Sequence, residues 1–274
     1  MSCLHVYTHR YAPLLLEMRA DLEEFLATGT IRRARQLAAE TGQHFSADRL
    51  PQFFTGDLDG PVVLVHLNPK QAKAAMPPPA WQAAVRTLEE YFDWYRHFGA
   101  RMYGPTSPRT HRSSFDHKQI RFLRPLGVID FVQGRSRDDR FANLKRVIDD
   151  KLQLELVPYG SVSFSTHGFT PAVLASHFDR ILSTIAAVPR QYVLFCGAVF
   201  KPLLREHVTR WHEFHLRKSD GTLERQRSSF ANLLLPHKGG FIRAGLAQSW
   251  ARQGIPMAAY AEEVRSRYED DASH

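Results

Sequence analysis

Residues 60–69 read Gly-Pro-Val-Val-Leu-Val-His-Leu-Asn-Pro, and this segment constrains the fold more than any other. Val62 to Leu67 is short, β-branched and apolar, and it is fenced by Gly-Pro before and Asn-Pro after. A run of that kind is a strand buried on both faces, the environment of a parallel sheet.

The rest of the chain supplies helices and strands in alternation. Leu15, Met18, Leu22 and Phe25 recur at helical steps within residues 11–40, and Gly29 breaks the pattern. After the strand, Trp81, Val85, Leu88, Phe92 and Tyr95 keep a helical step until Gly99. Residues 140–151 read as a short helix and 152–159 as a second strand. Thr170-Pro171 is an N-cap and first-turn pair opening a helix through Leu174, Phe178, Ile181, Ile185 and Val188. Gln191 to Cys196 reads as a third strand and Ser229 to Leu235 as a fourth, with a helix over about 200–216 between them. Two further helices are expected over about 241–253 and 256–268. Residues 100–138 show no sustained period and are expected to form a long functional loop, with Leu126 to Val132 as a strand or an anchor.

This order predicts an α/β fold: a three-layer α/β/α arrangement around a central, mostly parallel four-stranded sheet, with an N-terminal helical extension over residues 1–55. The whole of 1–274 reads as a single domain that ends in a C-terminal helix and tail over 256–274. The 43% hydrophobic content is enough for a core without disulfides. Cys3 and Cys196 read as reduced thiols of a cytosolic protein. Met1 to Arg19 lacks a charged start followed by an apolar block, and no apolar run reaches membrane-spanning length. A cytoplasmic monomer with no membrane contact is therefore expected.

Charge points to a partner. The net charge is +8, and the stretch from Arg101 to Arg146 holds eleven Lys/Arg against four Asp. A local basic excess of this kind favours a polyanion.

In open parallel sheets ligands bind beyond the carboxyl ends of the strands. The residues placed there are His66, Asn68, Pro69 and Lys70; then Tyr159, Ser161, Ser163, Ser165, Thr166 and His167; then Gly197 and Lys201; then His237, Lys238, Gly239 and Gly240. This set is polar and partly basic without a carboxylate, which suits phosphate or sugar and not a divalent metal. No GxGxxG follows a strand and no GxxxxGK[ST] occurs, so neither a dinucleotide cofactor nor a P-loop is expected. Trp211-His212-Glu213-Phe214-His215 falls one residue short of a zinc HExxH helix and reads as an exposed helix. No cofactor and no metal are expected.

The strand ending in His66-Leu67-Asn68-Pro69-Lys70 resembles the first motif of the uracil-DNA glycosylase superfamily, which reads Gly-Ile-Asn-Pro-Gly in its mismatch-specific branch. Leu233 to Leu235 followed by Pro236-His237-Lys238-Gly239-Gly240 resembles the family's second motif, in which a strand delivers a His into a loop that grips DNA. The resemblance covers residues 58–255. It implies a DNA-base glycosylase without cofactor, which flips a damaged base such as uracil from duplex or single-stranded DNA and hydrolyses its N-glycosidic bond. Asn68 would position the attacking water, and His237 would stabilise the leaving base. His66, Pro69, Tyr159, His167 and Gly197 would line the base pocket. Lys70, Lys238, Gly239, Gly240, Arg101, Arg109, Arg112, Arg121 and Arg124 would contact DNA. This reading requires Asn68 and His237 to face one cleft. The alternatives are a non-catalytic nucleic-acid or nucleotide-binding protein on the same fold, and an unrelated α/β enzyme.

Overall fold

The computed structural model describes residues 3–69, 80–104, 113–162, 168–205, 207–217, 220–235, 240–247 and 256–270. It is an α/β protein built on one mixed sheet. The strands are β1 (Phe54–Gly56), β2 (Val62–His66), β3 (Leu152–Glu155), β4 (Tyr192–Cys196), β5 (Val208–Arg217), β6 (Leu223–Leu235) and β7 (Gly240–Ala247), in the order β1-β3-β2-β4-β7-β6-β5. The ladders β3/β2, β2/β4 and β4/β7 are parallel. β1 caps one edge antiparallel to β3, and β5, β6 and β7 form an antiparallel meander on the other side.

β2 is buried at every position, as its unbroken apolar run requires. Its alternate residues feed two separate cores. Val63 and Val65 join Leu152, Leu154, Val193 and Phe195 beneath the helices α2 (Ala12–Thr28), α3 (Arg32–Thr41) and α9 (Pro171–Ala186). Val62 and Leu64 join Leu194 and Cys196 beneath α7 (Ser114–Leu126), α8 (Arg137–Asp149) and α11 (Met257–Asp270). The N-terminal break falls at Gly29, whose φ of 72° is the left-handed conformation that closes α2. The expected N-cap of α9 is present: the Thr170 hydroxyl accepts from Val173 N at 3.3 Å. The remaining helices are α1 (Cys3–Tyr7), α4 (Ala80–Ala84), α5 (Leu88–Arg96), α6 (Phe98–Tyr103) and α10 (Phe200–Arg205). The single helix expected over 81–95 is two, because Thr87 forms a capping box with Glu90 and restarts the chain as α5.

Three expectations are corrected. Residues 100–138 are not one long loop: α7 occupies 114–126, opened by the Ser113 hydroxyl accepting from Asp116 N at 3.1 Å and closed by Gly127 at φ 69°. Ile120, Phe122, Leu123 and Leu126 of this helix are buried, while Arg121 and Arg124 are exposed. Ile129 and Phe131 then anchor a loop rather than a strand.

The helix expected over 200–216 stops at Arg205, and Val208 to Arg217 is strand β5. The Trp211–His215 segment therefore lies on a strand, where His212 and His215, three residues apart, are separated by roughly 10 Å and point to opposite faces. Two such His cannot share a zinc ion as they would on one helical face.

The helix expected over 241–253 is also replaced, at 240–247, by strand β7. Gly245 permits this, because a Cβ there would stand 3.0 Å from the Tyr260 hydroxyl of α11. The fourth parallel strand is thus β7, and the segment 229–235 belongs to its antiparallel neighbour β6.

Candidate functional site

The parallel strands end together at His66, Glu155, Cys196 and Ala247. Beyond them the β2 and β3 chains remain side by side. Leu156 N donates to His66 O and Val157 N to Leu67 O, both at 2.8 Å, and Ser161 N donates to Pro69 O at 3.2 Å. Asn68 sits in this paired extension, half-buried. Its amide nitrogen donates to Ser161 Oγ at 2.6 Å and points to Pro69 O and Tyr159 O at 3.4 and 3.5 Å. Both carbonyls are acceptors only, so the nitrogen of the carboxamide must face them. That leaves Oδ1 on the side of the carboxamide away from this seat.

The neighbouring side chains divide by face. His66 is 8% exposed and faces the α7 side, with its ring 5.1 Å from that of Phe115. Burial, together with the charge of Lys151, lowers its pKa to about 3, so the imidazole is neutral at physiological pH. Glu155 lies beside it in the ladder. Burial raises the Glu155 carboxyl to about 8. Its Oε1 accepts from Gln153 at 2.8 Å and Gln52 at 3.4 Å, while Oε2 has no partner among the described residues. Gln153 accepts in turn from Lys151 Nζ at 3.2 Å, and burial lowers that ammonium to about 8. A polar stripe of Lys151, Gln153 and Glu155 therefore runs along β3 and ends beside His66. Glu155 holds its proton at neutral pH, so it is chemically an acid and a hydrogen-bond donor.

Tyr159 turns the other way. It is 1% exposed, its ring packs near His177, and its hydroxyl reaches Asp21 of α2 at 3.4 Å. Its ring belongs to the packing of the N-terminal helices, and only its backbone oxygen approaches Asn68. Gly197 is buried against Leu67, and a Cβ there would stand 3.4 Å from the Leu67 side chain. Pro69 is half-buried beside Asn68.

The described strand ends on either side of residues 236–239 lie at a different edge from Asn68. His237, Lys238 and Gly239 lie outside the described residues. The residues that bracket them, Leu235 and Gly240, pair with each other at the amino edge of the parallel strands. Gly245 is level with Leu194, so Gly240 is roughly 30 Å from Asn68 along the strand direction. The reversal arises because β6 runs antiparallel to β7: the carboxyl end of β6 is at the wrong end of the sheet. Gly240 itself opens β7 in the ladder.

The basic residues are also sorted by the fold. Arg101 bonds Asp93 at 2.6 Å and stacks 4.6 Å over Trp94, so its charge is already matched. Arg121 and Arg124 on α7, and Arg135, Arg137 and Arg140 at the start of α8, are exposed and have no acidic partner among the described residues. Arg109, Arg112, Lys70 and His167 lie outside the described residues.

The sequence places Ser161 beyond the second strand but gives it no role, and it gives Glu155 none. Ser161 is the Asn68 partner, and only the paired course of the two chain segments brings it there. Glu155 carries a weak signal: a charged residue in a strand otherwise buried on both faces. No group of His, Cys, Asp or Glu suited to a metal ion occurs among the described residues. No described helix is long and apolar enough to cross a membrane.

No protein-family model matches the chain, and no curated protein matches it. Function is therefore read from the geometry at the Asn68 edge.

Proposed function

We propose that this chain is a glycosylase-like hydrolase acting on a flipped nucleobase, with Asn68 as the residue that orients the attacking water. The observation that carries the reading is the seat of the Asn68 amide: Ser161 and two carbonyls take the nitrogen, so Oδ1 is held at the carboxyl edge as a fixed acceptor. Such fixing is what water positioning needs, because an acceptor that must reorient contributes little.

In this reading the water oxygen bonds to C1′ of the sugar as the C1′–N bond breaks and its electron pair leaves with the base. The carboxamide cannot take up the proton of the water, which passes to solvent. The leaving base needs a proton or a hydrogen-bond donor. Glu155, neutral because it is buried, is the acid nearest this edge in the ladder and supplies that proton. His237, outside the described residues, is given no part in this step. The unmatched arginines of α7 and α8 supply the phosphate contacts.

A second reading is favoured by one observation. The expected partner of Asn68 is bracketed by strand ends far from it, whereas the basic surface stands without any catalytic pair. On that ground the protein would bind nucleic acid without turnover. Oligonucleotides carrying uracil, hypoxanthine or xanthine separate the two. Base release that disappears in Asn68→Ala supports hydrolysis. Salt-dependent binding with no release from any of them supports the binding protein.

A further inference from the structure

The loop that seats Asn68 is held from the other side by charged residues that no catalytic step uses. Arg180 of α9 has a side chain only 1% exposed. Its Nη2 donates to the backbone oxygens of Glu155 at 2.9 Å and Leu156 at 2.8 Å, and its Nη1 pairs with Glu17 of α2 at 2.8 Å. Arg33 of α3 pairs with Asp21 of α2 at 2.7 Å and donates to Glu17 O at 2.8 Å. Asp21 in turn receives the Tyr159 hydroxyl. The segment leading into β1 completes the clamp: Ser46 N donates to Gly160 O and Gln52 N to Pro158 O, both at 2.9 Å. Every residue from 155 to 161 is therefore tied through a backbone or side-chain bond to residues 66–69, to α9 or to the segments before β2.

Desolvating charges is expensive, and a buried ion pair rarely adds net stability over a hydrocarbon of equal volume. What such a network does provide is a single geometry. We propose that the N-terminal helices are the positioning device for Asn68. Glu17 and Asp21, acting through Arg180, Arg33 and Tyr159, hold the 155–161 loop in the conformation that presents Ser161 to the Asn68 amide. This rests on the water-positioning reading of Asn68, and it makes Asp21, Arg180 and Tyr159 positioning residues. None of them touches the ligand.

The geometry explains why the extension packs on this side. α2 and α3 meet the α9 face of the sheet, and that face carries Tyr159 and the Arg180-bound carbonyls. The extension thereby reaches the strand ends from beneath, and the opposite face is left to His66 and Glu155.

The test uses the full chain and the variants Asp21→Asn and Tyr159→Phe. The second deletes one hydroxyl and keeps the packing. Two measurements are needed. Amide hydrogen exchange reads the 156–161 loop against β4, whose exchange reports global opening. Single-turnover base release, with oligonucleotide affinity alongside, reads the consequence at Asn68. In Asp21→Asn, exchange over 156–161 should rise about tenfold or more while β4 is unchanged. Release should slow about tenfold with affinity within about twofold, the pattern of lost orientation. Tyr159→Phe should do the same to a smaller degree, and it remains informative if Asp21→Asn fails to fold.

Exchange that rises equally in the loop and in β4 would overturn the proposal, as would a loosened loop with an unchanged rate. Should the wild-type chain release no base at all, the hydrolase reading fails, and the side-chain amide resonance of Asn68, assigned by its loss in Asn68→Ala, decides the inference. A resonance unmoved by Asp21→Asn and Tyr159→Phe rejects it; one that collapses toward the free-amide position upholds it.

Discussion

The Asn68 amide and the Ser161 hydroxyl meet at 2.6 Å, closing the gap between chain segments that leave adjacent parallel strands. The bond lies past the last ladder pair of β2 and β3. It ties the exits of β2 and β3 to each other and fixes which end of the carboxamide meets the 159–161 segment.

Asn68→Ala removes the acceptor and should slow base release by about a hundredfold, the scale of a lost positioning contact. Affinity for the same oligonucleotide should stay within about twofold, since phosphates dominate binding. Ser161→Ala should give a smaller loss of rate with the same affinity, because the amide remains but can turn. Single-turnover rates and equilibrium titrations on all three chains check both statements.

The exposed arginines of α7 and α8 predict how salt acts. Replacing Arg121, Arg124, Arg137 and Arg140 with Ala should flatten the dependence of log K on log salt by about 0.9 for each phosphate that is no longer neutralised. Replacing Arg101, already paired with Asp93, should barely change it. An identical slope in both variants would remove α7 and α8 from the nucleic-acid surface.

Acid should destabilise the fold through two histidines, His66 buried and His177 half-buried. His66 and His177 both have their pKa lowered to about 3, chiefly by burial. The unfolded chain takes up protons near pH 6.5 that the folded chain refuses. Stability present above pH 6.5 is thus lost as pH falls toward 3, at up to about 1.4 kcal/mol per pH unit for each histidine. Glu155 acts in the opposite sense. Its folded carboxyl is raised to about 8, so its contribution is full below the unfolded value and is lost as pH rises through 8. Between about pH 4.5 and 6.5 the two effects oppose each other. Glu155→Gln should therefore steepen the acid loss in this window, which chemical denaturation at half-unit pH steps measures.

Glu155 also predicts an activity profile. If its proton goes to the leaving base, release should decline as pH passes about 8, and Glu155→Gln should be slow at every pH, with no alkaline limb. A wild-type rate in Glu155→Gln would exclude the carboxyl from the reaction and leave it as a buried structural acid.

What was legible in the sequence follows local physics. The β2 run admits only a doubly buried strand, and the structure buries all five of its residues. Thr170-Pro171 opens α9, Gly29 closes α2, and the strands at 152 and 192 begin within a residue of their expected starts. Asn68 falls at a strand's carboxyl end because the strand is bounded by its own Pro and Gly. The charged clamp from Arg180 to Asp21 left no trace in any pattern, since its members lie on helices separated by more than a hundred residues.

Only tertiary structure decided that 208–217 and 240–247 are strands. Leu204, Val208 and Trp211 satisfy a helical step, and Gly240–Ala247 carries no strand-like alternation, yet both segments pair in the sheet. Cross-strand hydrogen bonds to distant partners outweigh weak local preference there. Strand direction is likewise non-local: a segment's own residues do not state whether its neighbour runs with it or against it. The antiparallel course of β6 therefore sets Leu235 and Gly240 at the far edge, and the Asn68 site is assembled from β2, β3 and the N-terminal helices.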